Sequence, residues 1–86
     1  MLDKEYRAKM KRYIEKWLVE YQHEKGCLIP LQDFATHLGM DRSTLSHIYN
    51  GKRMPTVENC FKFYTKTGDP EVFAIAGHEY IIPFLK

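Results

Sequence analysis

Residues 31–55 read LQDFATHLGMDRSTLSHIYNGKRMP, and two short helical patterns meet there across a glycine. Leu31, Phe34, Ala35 and Leu38 stand at i, i+3, i+4 and i+7, one apolar helical stripe. Gly39 follows, a residue that takes the left-handed conformation at no steric cost, so it ends the first helix and lets the chain turn sharply. Asp41 is placed to cap a second helix, expected over residues 42–50.

That second helix is sharply two-sided. Advancing each residue by roughly 100° from Arg42 puts Leu45 near ~300° and Ile48 near ~240°, a narrow apolar edge. Arg42, Ser43, Ser46, His47 and Asn50 fill the opposite arc, Thr44 lies on its flank and Tyr49 at its boundary. Two residues pin such a helix, and five point outward.

The outward groups are a guanidinium, hydroxyls, an imidazole and an amide, donors and acceptors of the kind that read base edges in a DNA major groove. No carboxylate interrupts them. Arg42 leads the expected base contacts because its side chain can bridge two acceptors on guanine, and Ser43, Ser46 and His47 share its face. Asn50-Gly51-Lys52-Arg53 then supplies a turn and two cations where a DNA backbone passes if the helix enters the groove. Asn50, Lys52, Arg53 and the flanking Thr44 are the expected phosphate contacts.

The stretch 31–53 resembles the helix-turn-helix of the lambda-repressor-like family, also called Xre/Cro-type regulators. The resemblance rests on Ala35, Gly39, Ser43-Thr44-Leu45-Ser46 and Asn50-Gly51-Lys52-Arg53 with Pro55 behind it. It continues through Thr56-Val57-Glu58-Asn59 to Gly68 and covers roughly half the chain. It implies an all-α fold, a compact bundle of about five helices containing a helix-turn-helix, and sequence-specific DNA binding. Two positions depart from the family. Pro30-Leu31 stands where Thr-Gln is usual, which leaves Gln32, one position later, as the phosphate contact only if the helix is rotated. Asp41 replaces a common serine, and an acid near phosphates weakens non-specific binding.

Composition sets the outer limits. Eighty-six residues, 44% of them hydrophobic, are expected to form one small domain, with a helix-turn-helix core at about 31–50 and an apolar tail at 78–86. One Trp, six Tyr and five Phe argue for a folded chain, and no stretch of ~20 apolar residues is available to cross a membrane. The N terminus is charged and unlike a signal peptide. Cys27 and Cys60 belong to no C-x-x-C pair, which fits a reducing cytoplasm, and Cys60 reads as a small core residue. The net charge of +2 is modest, so its distribution carries the argument. Arg42, Lys52, Arg53, Lys62 and Lys66 face Glu58 as the single acid between residues 42 and 66.

The remaining chain reads as a platform. A long helix is expected from about Asp3 to His23, with Tyr6, Met10, Tyr13, Ile14, Trp17, Leu18 and Tyr21 on one stripe that covers the two-helix unit or else binds a partner. Lys25-Gly26 ends it, residues 27–29 form a connector, and Pro30 is suited to open the next helix. A fourth helix starts at Thr56, buries Val57, Cys60, Phe61 and Tyr64, turns Phe63 elsewhere, and closes at Gly68. Asp69-Pro70-Glu71 starts a fifth, with Val72, Phe73, Ile75 and Ala76 inward. In the tail, Tyr80, Ile81, Ile82, Phe84 and Leu85 need cover, so they either close the core or join two subunits.

His37 and His47 lack a companion at metal-ligand spacing, and no glycine-rich phosphate loop, nucleophile elbow or supported carboxylate pair is present. Neither an enzyme, a metal nor a cofactor is therefore expected. The reading that results is a phage-type or Cro-like repressor that occupies a pseudo-palindromic operator in double-stranded DNA as a homodimer, since two recognition helices ~34 Å apart double the contacts. An alternative is an antitoxin that binds a toxin protein and its own promoter, and a third is a helix-turn-helix kept as a protein-binding scaffold.

Overall fold

Asp3 opens the first helix by accepting a hydrogen bond on Oδ1 from the Glu5 amide at 3.1 Å. In the computed structural model, which describes residues 3–85, α1 then runs Lys4–Lys25 and stops at Gly26. It extends two residues past the expected end at His23. Met10, Tyr13 and Ile14 are buried, and Tyr6, Trp17, Leu18 and Tyr21 pack partly buried beside them. A helix of 22 residues is ~33 Å long. That length is close to the molecule's largest extent of 35 Å.

Beneath α1 lie α2 (Leu31–Leu38) and α3 (Arg42–Tyr49). Pro30 is not the first helical residue but the one before it. Its ψ of 157° keeps it extended, while its carbonyl accepts from the Asp33 and Phe34 amides at 3.0 and 3.2 Å. Phe34, Ala35 and Leu38 are buried and Leu31 partly so, as the stripe predicts. Gly39, at φ 79°, makes the turn: its amide bonds to the Thr36 carbonyl at 3.1 Å and the Met40 amide to Ala35 at 3.0 Å. This pair of bonds satisfies two of the carbonyls in the last turn of α2, and Met40 drops into the core behind it.

α4 (Val57–Thr67) begins with a reciprocal cap. The Asn59 amide donates to Thr56 Oγ1 at 3.1 Å, and the Thr56 amide donates to Asn59 Oδ1 at 3.2 Å. Here the sequence expectation needs correction. Phe63 is fully buried and Phe61 is 41% exposed, the reverse of the expected assignment. Positions 61 and 63 project to nearly opposite sides of a helix, so only one can face inward. Tyr13 of α1 decides which, packing edge-on against Phe63 at 5.7 Å, while Phe61 sits edge-on to Phe73 from outside.

α5 (Glu71–Ile75) starts where Asp69 Oδ1 accepts from the Glu71 amide at 3.0 Å. Pro70 stands just before it. Val72, Phe73 and Ala76 are buried, and Ile75 is half-buried. A short 3-10 helix, Glu79–Phe84, ends the described chain. It splits the apolar tail in two: Ile81, Ile82 and Leu85 pack on the core, whereas Tyr80 is 64% and Phe84 80% exposed.

The fold is thus all-helical, five α-helices and one 3-10 helix among the described residues, around a single cluster of buried side chains. Cys60 lies inside it with Sγ 3.9 Å from the Val72 carbonyl, and burial pushes its thiol up to about 12. Cys27 is exposed. Among the described residues, no helix is long and apolar enough to cross a membrane.

Candidate nucleic-acid interface

Leu45 and Ile48 are completely buried, so the rotation of α3 about its own axis is fixed. The same rotation sets which side chains meet solvent. Arg42, Ser43, His47 and Asn50 are exposed, and Thr44 and Ser46 are half-buried along the edges. Asp41 holds the position before α3, though its side chain makes no capping hydrogen bond there.

Five of the nine expected contact residues come together. Gln32, Arg42, Ser43, Ser46 and His47 line one open cleft where the start of α2 meets the face of α3. Gln32, in the first turn of α2, thus lies on the same surface as the face of α3. Its Oε1 accepts from Arg42 Nη1 at 3.0 Å, which holds the guanidinium at the cleft.

Thr44 and Arg53 do not share that cleft. They line a second one on the far side of the turn, together with Asp41 and Glu58. Asn50 is engaged within its own helix. Its Nδ2 donates to the Ser46 carbonyl at 2.9 Å and approaches Ser46 Oγ at 3.3 Å, so its amide nitrogen closes the end of α3. The Asn50 side chain still lies on the surface.

The exit from α3 is built like the turn before it. Gly51 adopts φ 75°, the Gly51 amide bonds to Ile48 at 3.2 Å and the Lys52 amide to His47 at 2.8 Å. This fixes the exposed Lys52 and Arg53 immediately after the helix. Gly51 is buried as well, because Arg7 of α1 lies over it: an added Cβ would fall 2.6 Å from Arg7 Cγ and 2.8 Å from Cδ.

Tyr49, at the boundary of the face, donates its hydroxyl to Glu15 Oε2 at 2.7 Å, and Lys11 Nζ lies 5.2 Å from its ring centre. The bond to Glu15, with some burial, pushes the Tyr49 hydroxyl up to about 12 and keeps it a donor. On the opposite side His37 stacks on Tyr21 at 4.0 Å, and burial lowers its pKa. Arg7 and Lys11 were missed in the sequence because cations occur all round α1. Their i, i+4 spacing beside the apolar stripe was the available signal.

The local geometry is a left-handed glycine between two short helices, the second of them polar outside and held by two buried aliphatics. Residues 27–63 match the protein-family model for a helix-turn-helix. This segment is a helix-turn-helix of the Xre/lambda-repressor-like type. The match takes in α2, α3 and most of α4, and leaves α1 and the residues after Phe63 outside. The matched segment is of the kind found as a DNA-binding domain in transcriptional regulators. No curated protein and no solved structure matches the chain.

Proposed function

We propose that this chain is a sequence-specific transcriptional repressor that acts by occupying an operator, with α3 lying in the major groove of double-stranded DNA. The observation that carries the reading is the cleft shared by Gln32, Arg42, Ser43, Ser46 and His47, five polar side chains backed by Leu45 and Ile48. Arg42 is assigned a guanine edge, and Ser43, Ser46 and His47 the neighbouring bases. Gln32, Thr44, Asn50, Lys52 and Arg53 are assigned to phosphates, which set register without reading sequence. The test is selection of bound duplexes from a random pool, followed by affinity measurements with Arg42→Ala. A pool that yields no enriched sequence from the folded protein defeats the proposal.

A homodimer is part of the same reading, because two copies double the base contacts on a pseudo-palindrome. Exposed Tyr80 and Phe84 support the tail as its interface. Ile81, Ile82 and Leu85 of the same tail pack on the core, so the tail cannot be removed whole without cost to the fold. The double variant Tyr80→Ser/Phe84→Ser leaves those three in place and is expected to sediment as a monomer. The same two aromatics also favour the second reading, an antitoxin whose partner is a toxin protein. Co-purification of a second small protein, lost in the double variant, distinguishes it.

A further inference from the structure

The cations of α1 divide between two flanks of the helix. Lys9 pairs with Glu5 at 3.8 Å and Lys16 with Asp69 at 3.5 Å, on the side turned away from α3. Arg7 and Lys11 lie on the side turned toward it, over Gly51 and the Tyr49 ring. Lys4 is one turn before Arg7 and follows the same i, i+3, i+7 line. All three are exposed, and Glu15, the acid that extends this edge, already accepts from Tyr49. The row therefore passes the Tyr49 end of α3 and the Gly51 turn that leads to Lys52 and Arg53, and Lys4 extends it by one further turn of α1.

Backbone phosphates repeat along both strands beyond the bases that one recognition helix can touch, and each neutralised phosphate releases a counterion. A basic edge that abuts the loop after α3 meets the next stretch of that backbone. We propose that Lys4, Arg7 and Lys11 of α1 form a second phosphate-binding edge, continuous with Lys52 and Arg53, that grips the DNA flanking the base pairs assigned to α3. Arg7 joins the two parts: its side chain covers Gly51, in the turn that carries Lys52 and Arg53. A glycine at 51 serves both needs, since it supplies the positive φ and leaves room for that side chain. This inference rests on the DNA-binding reading above.

The experiment compares the wild type with Lys4→Gln/Lys11→Gln, a pair of exposed positions whose replacement removes charge and little packing. Each is titrated against the selected duplex in two lengths, one trimmed to the contacted bases and one carrying a further half-turn on each side, over a range of salt. On the long duplex the variant is expected to show a salt slope shallower by ~1.8, since it neutralises two fewer phosphates. On the trimmed duplex the two proteins are expected to bind alike. Equal binding on the long duplex, or equal weakening on both lengths, overturns the flanking edge while leaving the recognition helix intact. Absence of any duplex binding by the wild type overturns both. Arg7→Lys serves as a second variant, expected to keep the slope of the wild type because it retains the charge.

Discussion

Arg42 Nη1 donates to Gln32 Oε1 at 3.0 Å, a bond from the recognition helix back to the first turn of the helix before it. Under the proposed function, Arg42 meets a base edge already oriented, with less side-chain freedom to lose on binding. Arg42→Ala is expected to cost ~1–3 kcal/mol and to relax specificity at one base position. Gln32→Ala is expected to cost ~0.5–1.5 kcal/mol with the preferred base unchanged. Affinities over a set of single-base operator variants check both, and a changed base preference in the Gln32 variant shows that Gln32 itself reads sequence.

Lys52 follows α3 directly and is assigned to phosphate, so its replacement has a different signature. Lys52→Ala is expected to weaken all duplexes by the same factor and to reduce the salt slope by ~1. Titrations of the selected and a scrambled duplex at several salt concentrations separate this from the Arg42 effect.

Phe63 and Phe61 offer a matched pair for stability. Phe63→Ala opens a cavity against Tyr13 and is expected to cost ~3–5 kcal/mol. Phe61→Ala, at a site 41% exposed, is expected to cost clearly less. Urea denaturation of the two variants measures the contrast.

Most of the helix-turn-helix was legible because the signal is sparse there. Among the residues of α3, Leu45 and Ile48 are the only aliphatics, and a helix has just one way to bury both. In α4 the signal is ambiguous: Cys60, Phe61, Phe63 and Tyr64 are all apolar enough to be core. Tertiary contact with Tyr13 breaks that tie, and no local pattern contains it. The tail is ambiguous for the same reason, with five large apolar residues in and beside a more tightly wound helix around Pro83. The hydrogen bond between Gln32 and Arg42 was not legible, because it depends on how α2 crosses α3, which sequence spacing does not encode.

His37 gives the fold a dependence on pH. Burial lowers its pKa, Lys66 and Lys25 add to the effect, and Glu24 opposes it. With the folded value below the unfolded 6.5, the unfolded chain binds more protons in the window between them. The stabilisation is thus present above about 6.5 and lost as pH falls through the folded value. Urea midpoints at neutral and acidic pH are expected to drop more for the wild type than for His37→Gln.

Asp69 gathers α1 onto the corner between α4 and α5. Its Oδ2 accepts from Trp17 Nε1 at 3.1 Å and from Lys16 Nζ at 3.5 Å, and its backbone carbonyl accepts from the Tyr13 hydroxyl at 3.0 Å. Trp17 is the chain's single tryptophan. Its fluorescence accordingly originates at one seam, and an emission change on mixing with denaturant times the undocking of the long helix from that corner without any added label.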